Sequence, residues 1–369
     1  MAELENNPRY LVGKFFAKSL EKNPLGSPAE RHIHIYLPPD YFKDLKRSYP
    51  VIYFLHGYLG SHQNITVGPN AEDKWKPLTS LGPEIAAMFH TERMASYHMF
   101  DQWLQAGEVK PFIFVQPDGS LHRPHMLNVK NMVSGEISLK GSFYIDSPYI
   151  GNYESYIAND IIKYVDHSYR TIPEAAHRAL VGSSMGGYGA LSVCLGRPGL
   201  FAAVAALSPG NFTQDTLSWK LRVPMLHNLL GEEAAAETGD IAYNDILDTM
   251  DLVYSNDRRL LPTIKFSPDG KVVECDRVAL ANWEKRDLNN IIKSATSPFK
   301  DIKLKIDCDR NDEFGLAAEA AKIHTSLRER GVPHEFEIYY DPEAAPSPHQ
   351  LGIAYRTPAA IKFCLSHIG

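Results

Sequence analysis

Ala179-Leu180-Val181-Gly182-Ser183-Ser184-Met185-Gly186-Gly187-Tyr188-Gly189-Ala190-Leu191 is the stretch that decides the fold. Its first three residues read as a buried strand, and the run from Tyr188 to Leu195 reads as a helix. Between them, Gly182 to Gly186 fits the pattern Gly-x-Ser-x-Gly. Strand, sharp turn and helix in that order lift one serine to the apex of a strained turn, and flanking glycines leave the backbone room to make it. Register selects Ser184, because only it stands midway between the two motif glycines. The helix that follows aims its first amides at negative charge developing beside that serine.

Working outward, short apolar runs recur at long intervals with helix-like stretches between them, which predicts a mostly parallel sheet flanked by helices. The runs are Val51 to Leu55, Phe112 to Val115, Ala179 to Val181, Ala202 to Leu207, Ile302 to Ile306 and Phe336 to Tyr340. Tyr153, Ile157, Ile161, Tyr164 and Val165 share one face at helical spacing, and a second helix is predicted from about Leu316 to Arg330, stopped by Gly331 and Pro333. Residues 61–108 and 212–298 break the rhythm. No repeat or Gly/Ser linker divides the chain, so one sheet domain over residues 1–369 with an insertion at 212–298 is expected.

Composition narrows the classes. The chain has 369 residues, 44% hydrophobic and 22% charged, which is enough to bury a core. With 38 basic against 44 acidic residues the net charge is −6, so no nucleic-acid partner is expected. No run of about 18 apolar residues suggests a membrane span, and the first thirty residues lack the apolar centre of a secretory signal. A cytoplasmic location is expected, with secretion the alternative if a leader was removed. Asn64-Ile65-Thr66 and Asn211-Phe212-Thr213 match the glycosylation acceptor pattern. The four cysteines form no C-x-x-C pair and read as reduced thiols.

A serine hydroxyl is a weak nucleophile at neutral pH, so it needs a base, and the base needs an orienting acid. At strand–turn–helix nucleophile sites these follow in the order Ser, Asp/Glu, His. After Ile302 to Ile306 come Asp307, Asp309 and Asp312, and after the strand ending at Tyr340 comes His349, expected in the loop before the last helix. Oxyanion donors are expected from the backbone N–H groups of Met185 and of Tyr58, with Leu59 the alternative to Tyr58, in His56-Gly57-Tyr58-Leu59-Gly60 directly after Val51–Leu55. Gly57 and Leu59 are expected to border the substrate, as are Trp219 and Trp283 from the insertion, which leaves and rejoins the sheet at strand ends.

No metal is expected. Asp307, Asp309 and Asn311 imitate the start of a calcium loop, but its sixth position holds Asp312 instead of glycine and its twelfth Ala318 instead of glutamate. His122-Arg123-Pro124-His125 carries a proline between its histidines, unlike the helical pair of a zinc hydrolase.

The chain resembles the putative-esterase family of α/β-hydrolases, which includes esterase D (S-formylglutathione hydrolase), the feruloyl and acetylxylan esterases and the mycolyltransferases. The resemblance is carried by Phe54-Leu55-His56-Gly57, Gly141 to Ser147, the helix Tyr153 to Tyr169, Gly182 to Leu191, Asp312-Glu313-Phe314 and His349. It implies an α/β-hydrolase fold and a serine carboxylesterase working through an acyl-enzyme without a cofactor. The family's D-x-F pattern assigns the triad acid to Asp312, with Ser184 and His349 as its partners. Histidine-glycine at the first turn is commoner among feruloyl esterases, whereas esterase D-like sequences have a small polar residue there. Feruloyl-type aryl esters are therefore the expected substrates, with S-formylglutathione hydrolysis and acyl transfer as alternatives. The partner expected is a small-molecule ester, with neither nucleic acid nor membrane. Self-association is left open, and the 212–298 insertion is expected to act as a lid or pocket wall.

Overall fold

The computed structural model describes residues 7–58, 60–62, 67–68, 90–121, 129–130, 137–138, 141–211, 253, 264–266, 272–275, 277–295, 299 and 301–369. Its centre is an eight-stranded sheet. We number the strands β1 (Tyr10–Phe16), β2 (Glu30–Tyr36), β3 (Val51–Leu55), β4 (Ile113–Pro117), β5 (Arg178–Ser183), β6 (Ala203–Leu207), β7 (Lys303–Asp309) and β8 (His334–Tyr339). Their order across the sheet is β1-β2-β4-β3-β5-β6-β7-β8. From β4 to β8 every pairing is parallel, while β2 is antiparallel to both β1 and β4.

The two N-terminal strands were not among the runs read from the sequence. In β2, Ile33 and Ile35 alternate with His32 and His34, the period of a half-buried strand, and β1 is an edge strand with Val12 and Phe16 exposed. Neither forms the continuous apolar run of a strand buried on both faces.

Strand alternation divides the core into two layers. Val51, Tyr53 and Leu55 face one cluster, with Leu180, Val204 and Ile306, under the helical run Tyr153–Ser168, α3 (Met185–Gly196), α5 (Leu288–Ser294) and α6 (Leu316–Glu329). Ile52 and Phe54 face the other cluster, with Val181 and Ala205, under α1 (Tyr97–Gln105) and α7 (Pro348–Leu365). Each fully buried Ile, Leu or Phe contributes roughly 1.5–3 kcal/mol. The middle of the run Tyr153–Ser168, which forms our α2 in its last piece Ile162–Ser168, is π-helical over Tyr156–Ile161.

Most of the 212–298 stretch lies outside the described residues, Trp219 included. Its return is described: α4 (Arg277–Glu284) and α5, the latter packed on α3 and α6. Trp283, expected at the pocket, is buried in the first core cluster at 7% exposure. Asn211 clasps the two ends of the excursion, donating to Asp287 Oδ1 at 2.9 Å and accepting from the Leu288 N–H at 3.0 Å. At 1% exposure with its amide nitrogen engaged, Asn211 is buried in the folded chain, in keeping with a chance match to the acceptor pattern. Asn64 lies outside the described residues.

Candidate active site

Parallel strands place their carboxyl ends on one edge, and ligands of open α/β sheets bind beyond that edge. The loops leaving β3, β4, β5, β6 and β7 there carry His56, Asp118, Ser184, Ser208 and Asp312, and the first turn of α7, which follows β8, carries His349.

Ser184 occupies φ 53° and ψ −117° between β5 and α3, a backbone state that costs a non-glycine residue about 1–3 kcal/mol. The turn is held from behind: the Ser184 N–H donates to the Leu207 carbonyl at 2.8 Å, and the Gly210 N–H donates to the Ser184 carbonyl at 2.8 Å. The flanking glycines are obligatory for steric reasons. A Cβ on Gly182 would stand 2.0 Å from the Gly186 carbonyl oxygen, and one on Gly186 would stand 1.9 Å from that of Leu55. Both obstacles are backbone, so no side chain can yield. Met185 opens α3, so its N–H has no carbonyl partner within the helix and points out of the helix N-terminus.

The loop after β3 lies directly against the serine. A Cβ on Gly57 would be 3.4 Å from Ser184 Cβ, and Tyr58 is the next residue. Leu59 lies outside the described residues. What fixes this loop is His56, read from the sequence only as part of a turn. It is 1% exposed and accepts from the Gly119 N–H through Nε2 at 2.8 Å. An amide N–H can only donate, so Nε2 is bare and Nδ1 carries the proton that bonds the Gly57 carbonyl at 2.8 Å. Burial lowers the His56 pKa below 6.5 against the opposing pull of Asp118, and keeps the ring neutral.

Behind it, the buried Arg31 donates to the carbonyls of Asp118 at 3.0 Å and Ser120 at 2.6 Å, and so orders the loop that presents Gly119. Tyr144 donates to the His56 carbonyl at 3.1 Å. Both Phe143 and Tyr144 hold φ 53°, so strain is concentrated here as well as at Ser184.

On the other side, His349 Nδ1 and Asp312 Oδ2 are 2.6 Å apart. The carboxylate accepts, so the proton sits on Nδ1 and leaves Nε2 as the basic nitrogen. Asp312 Oδ1 accepts in turn from the Phe314 N–H at 3.0 Å. Burial works to lower the imidazole pKa, but the charge and hydrogen bond of Asp312, joined by the charge of Glu313, outweigh it and raise His349 above 6.5. His349 was expected in a loop; it stands instead in the first turn of α7, which begins at Pro348. Proline's preset φ and missing N–H suit it to the first helical position.

The three aspartates read from the sequence part company here. Asp309 caps local backbone, accepting from the Asn311 N–H at 2.8 Å and the Asp341 N–H at 3.1 Å. Asp307 is buried beside Arg356 at 3.3 Å. Burial pushes the Asp307 carboxyl up to about 6, with Arg356 opposing. Asp312 alone meets His349. Cys308 lies behind it, with Sγ 3.7 Å from Asp312 Oδ2. Among the described residues no group of three or more His, Cys, Asp or Glu side chains could hold a metal ion, and no helix is long and apolar enough to cross a membrane.

Aromatic rings border the region. Phe314 meets the His349 ring edge-on at 4.7 Å, and Phe143 lies 6.2 Å from both Tyr58 and Tyr188.

Known proteins share this fold. A solved ferulic acid esterase superposes with a TM-score of 0.53 over 97% of this chain and 98% of its own, at 19% identity. An S-formylglutathione hydrolase from Agrobacterium tumefaciens gives 0.52 over 97% and 95%, at 16% identity. Among curated sequences, Esterase Rv1288 of Mycobacterium tuberculosis is 27% identical over 212 residues, 57% of this chain and 35% of that protein. The match thus spans about a third of the length of that relative. The model of the family described as putative esterase matches residues 145–351, more than half of the chain and the part that holds Ser184, Asp312 and His349. With that match, the order of its strands and the turn at Ser184, the chain belongs to the putative esterase family, on an α/β-hydrolase fold.

Proposed function

We propose that this chain is a serine carboxylesterase acting through an acyl-enzyme on Ser184. The observation that carries the reading is the 2.6 Å contact of His349 Nδ1 with Asp312, on the sheet edge that also bears Ser184 at its strained turn. His349 Nε2 takes the Ser184 proton as Oγ attacks the ester carbonyl, and the N–H groups of Met185 and Tyr58 hold the resulting oxyanion. Collapse breaks the bond to the alcohol oxygen, which leaves with the proton held on His349. Water then repeats the sequence on the acyl-enzyme, releasing the acid and restoring the serine hydroxyl.

Feruloyl-type aryl esters are the substrate class we favour. Tyr58 and Phe314, both half-buried, offer rings suited to an aromatic acyl group. The stretch 212–298, within a single domain, is proposed to contribute to the pocket wall, with Trp219 as its test position; Trp283 is buried in the core. Hydrolysis of methyl ferulate, p-nitrophenyl esters and S-formylglutathione, run side by side, tests the choice. A kcat/KM for S-formylglutathione well above that for methyl ferulate replaces the aryl-ester reading with the thioester one. Formation of a new ester when glycerol or a sugar is added marks acyl transfer.

A further inference from the structure

Glu313 follows Asp312 directly, and both its carboxylate oxygens engage the segment that carries His349. Oε2 accepts from the His349 backbone N–H at 2.7 Å, and Oε1 accepts from the Ser347 hydroxyl at 3.0 Å. Helix α7 starts at Pro348, which has no N–H to offer, and its N-cap residue Ser347 makes no side-chain cap. The cap therefore arrives from another segment, as a carboxylate placed where the helix dipole favours negative charge. Two consecutive residues grip one histidine at two points: Asp312 holds the ring and Glu313 the backbone.

We propose that Glu313 is a positioning residue for ester hydrolysis, fixing the His349 backbone so that Asp312 need control only the ring, while presenting a second negative charge to the imidazole. This rests on the reading of His349 as the general base. A helix start without such an anchor frays, and a base displaced by about 1 Å loses rate steeply. The titratable groups facing His349 are Asp312 and Glu313, both from the loop between β7 and α6, with the Cys308 thiol behind Asp312; Phe314, the ring edge-on to the imidazole, is uncharged. Glu313 is among the causes that raise the His349 pKa, which agrees with the charge part of the proposal. A cap with no catalytic consequence would change stability and leave the pH profile alone.

The test compares wild type with Glu313→Gln, Glu313→Ala and Ser347→Ala on p-nitrophenyl acetate, recording kcat and KM from about pH 5 to 9 with urea unfolding in parallel. Glu313→Gln keeps an acceptor and loses the charge, so its acid limb should move about half a unit lower, with a plateau kcat a few-fold down. Glu313→Ala should lower the plateau kcat by about 10- to 100-fold at nearly constant KM. Ser347→Ala should act in the same direction more weakly. An acid limb in Glu313→Gln coincident with wild type overturns the proposal, as does a loss of stability in Glu313→Ala without loss of plateau kcat. Should Glu313→Ala fail to fold, the limb of Glu313→Gln and the kcat of Ser347→Ala decide. Ser184→Ala and His349→Ala run beside them: if both remain active the esterase reading itself fails, whereas if both are inactive and the limb stays put, only the role of Glu313 falls.

Discussion

His56, in the loop beside Ser184, and His349, in the first turn of α7, are both almost wholly buried, at 1% and 4% exposure. Their protonation runs in opposite directions. His56 is hemmed by backbone, with Gly119 donating to one nitrogen and Gly57 accepting from the other, and its nearest carboxylate oxygen, on Asp118, is 3.9 Å away. Burial prevails there, and its pKa falls. At His349 a carboxylate sits at 2.6 Å with Glu313 beside it, and charge prevails over burial. Burial alone does not make a histidine inert or reactive; the charge of its first partner does.

The comparison breaks most visibly if the wrong histidine is essential. His349→Ala and Ser184→Ala should each lower kcat by roughly 10⁴-fold or more while the circular dichroism stays native. Ser183→Ala should be mild, and equal losses at Ser183 and Ser184 would remove the assignment of the nucleophile.

Next in size is the acid. Asp312→Asn should cost about 10³- to 10⁴-fold in kcat, since an amide there favours the wrong imidazole tautomer. Asp309→Asn touches only loop amides and should cost far less. Steady-state kinetics showing the reverse order would move the acid to Asp309.

A third effect appears in the pH profile. His349 must be neutral to act as base and its pKa is raised, so kcat/KM should fall on acidification with a midpoint above 6.5. The same shift has a stability consequence of opposite sign. The contribution of His349 to folding is full below pH 6.5 and is lost as pH rises through its folded pKa. Lowered pKa values act the other way: His56, and His62, which burial pushes down to about 4, supply stability above pH 6.5 that is lost on acidification. An activity midpoint clearly below 6.5 would contradict the charged surroundings found at His349.

The smallest effect concerns the neutral member. His56→Ala leaves the Gly119 N–H without its acceptor and frees the Gly57 carbonyl, so stability should fall by roughly 1–3 kcal/mol in urea unfolding. A loss in kcat of about tenfold should accompany it, because the Tyr58 amide is then less well aimed. His56→Gln should recover part of both. A large kcat loss with unchanged stability would make His56 a catalytic group, and the contrast with His349 would disappear.

Where residues signal through short-range pattern, the fold and site were legible. Gly182 and Gly186 announce the turn because any Cβ there meets backbone, and β3 to β6 announce themselves as apolar runs because both faces of those strands are covered. β1 and β2 went unread because each is covered only in part, which dilutes the apolar run into alternation. Placing His349 in a loop missed by one turn, since Pro348 opens a helix as readily as it closes a loop. His56, Arg31 and Glu313 gave no local signal: Gly119, Asp118 and the His349 backbone lie 63, 87 and 36 residues away in the chain.

By itself, then, the sequence determined the strained serine turn, the parallel sheet around it and the chain order of serine, acid and histidine, all of which follow from steric limits and hydrophobic period over a few residues. Among Asp307, Asp309 and Asp312 only the family resemblance pointed to Asp312; the 2.6 Å contact with His349, and which way each buried histidine titrates, came from tertiary structure. Those outcomes depend on the distance between charges and on solvent exclusion, and both arise only once segments far apart in the chain are packed against one another.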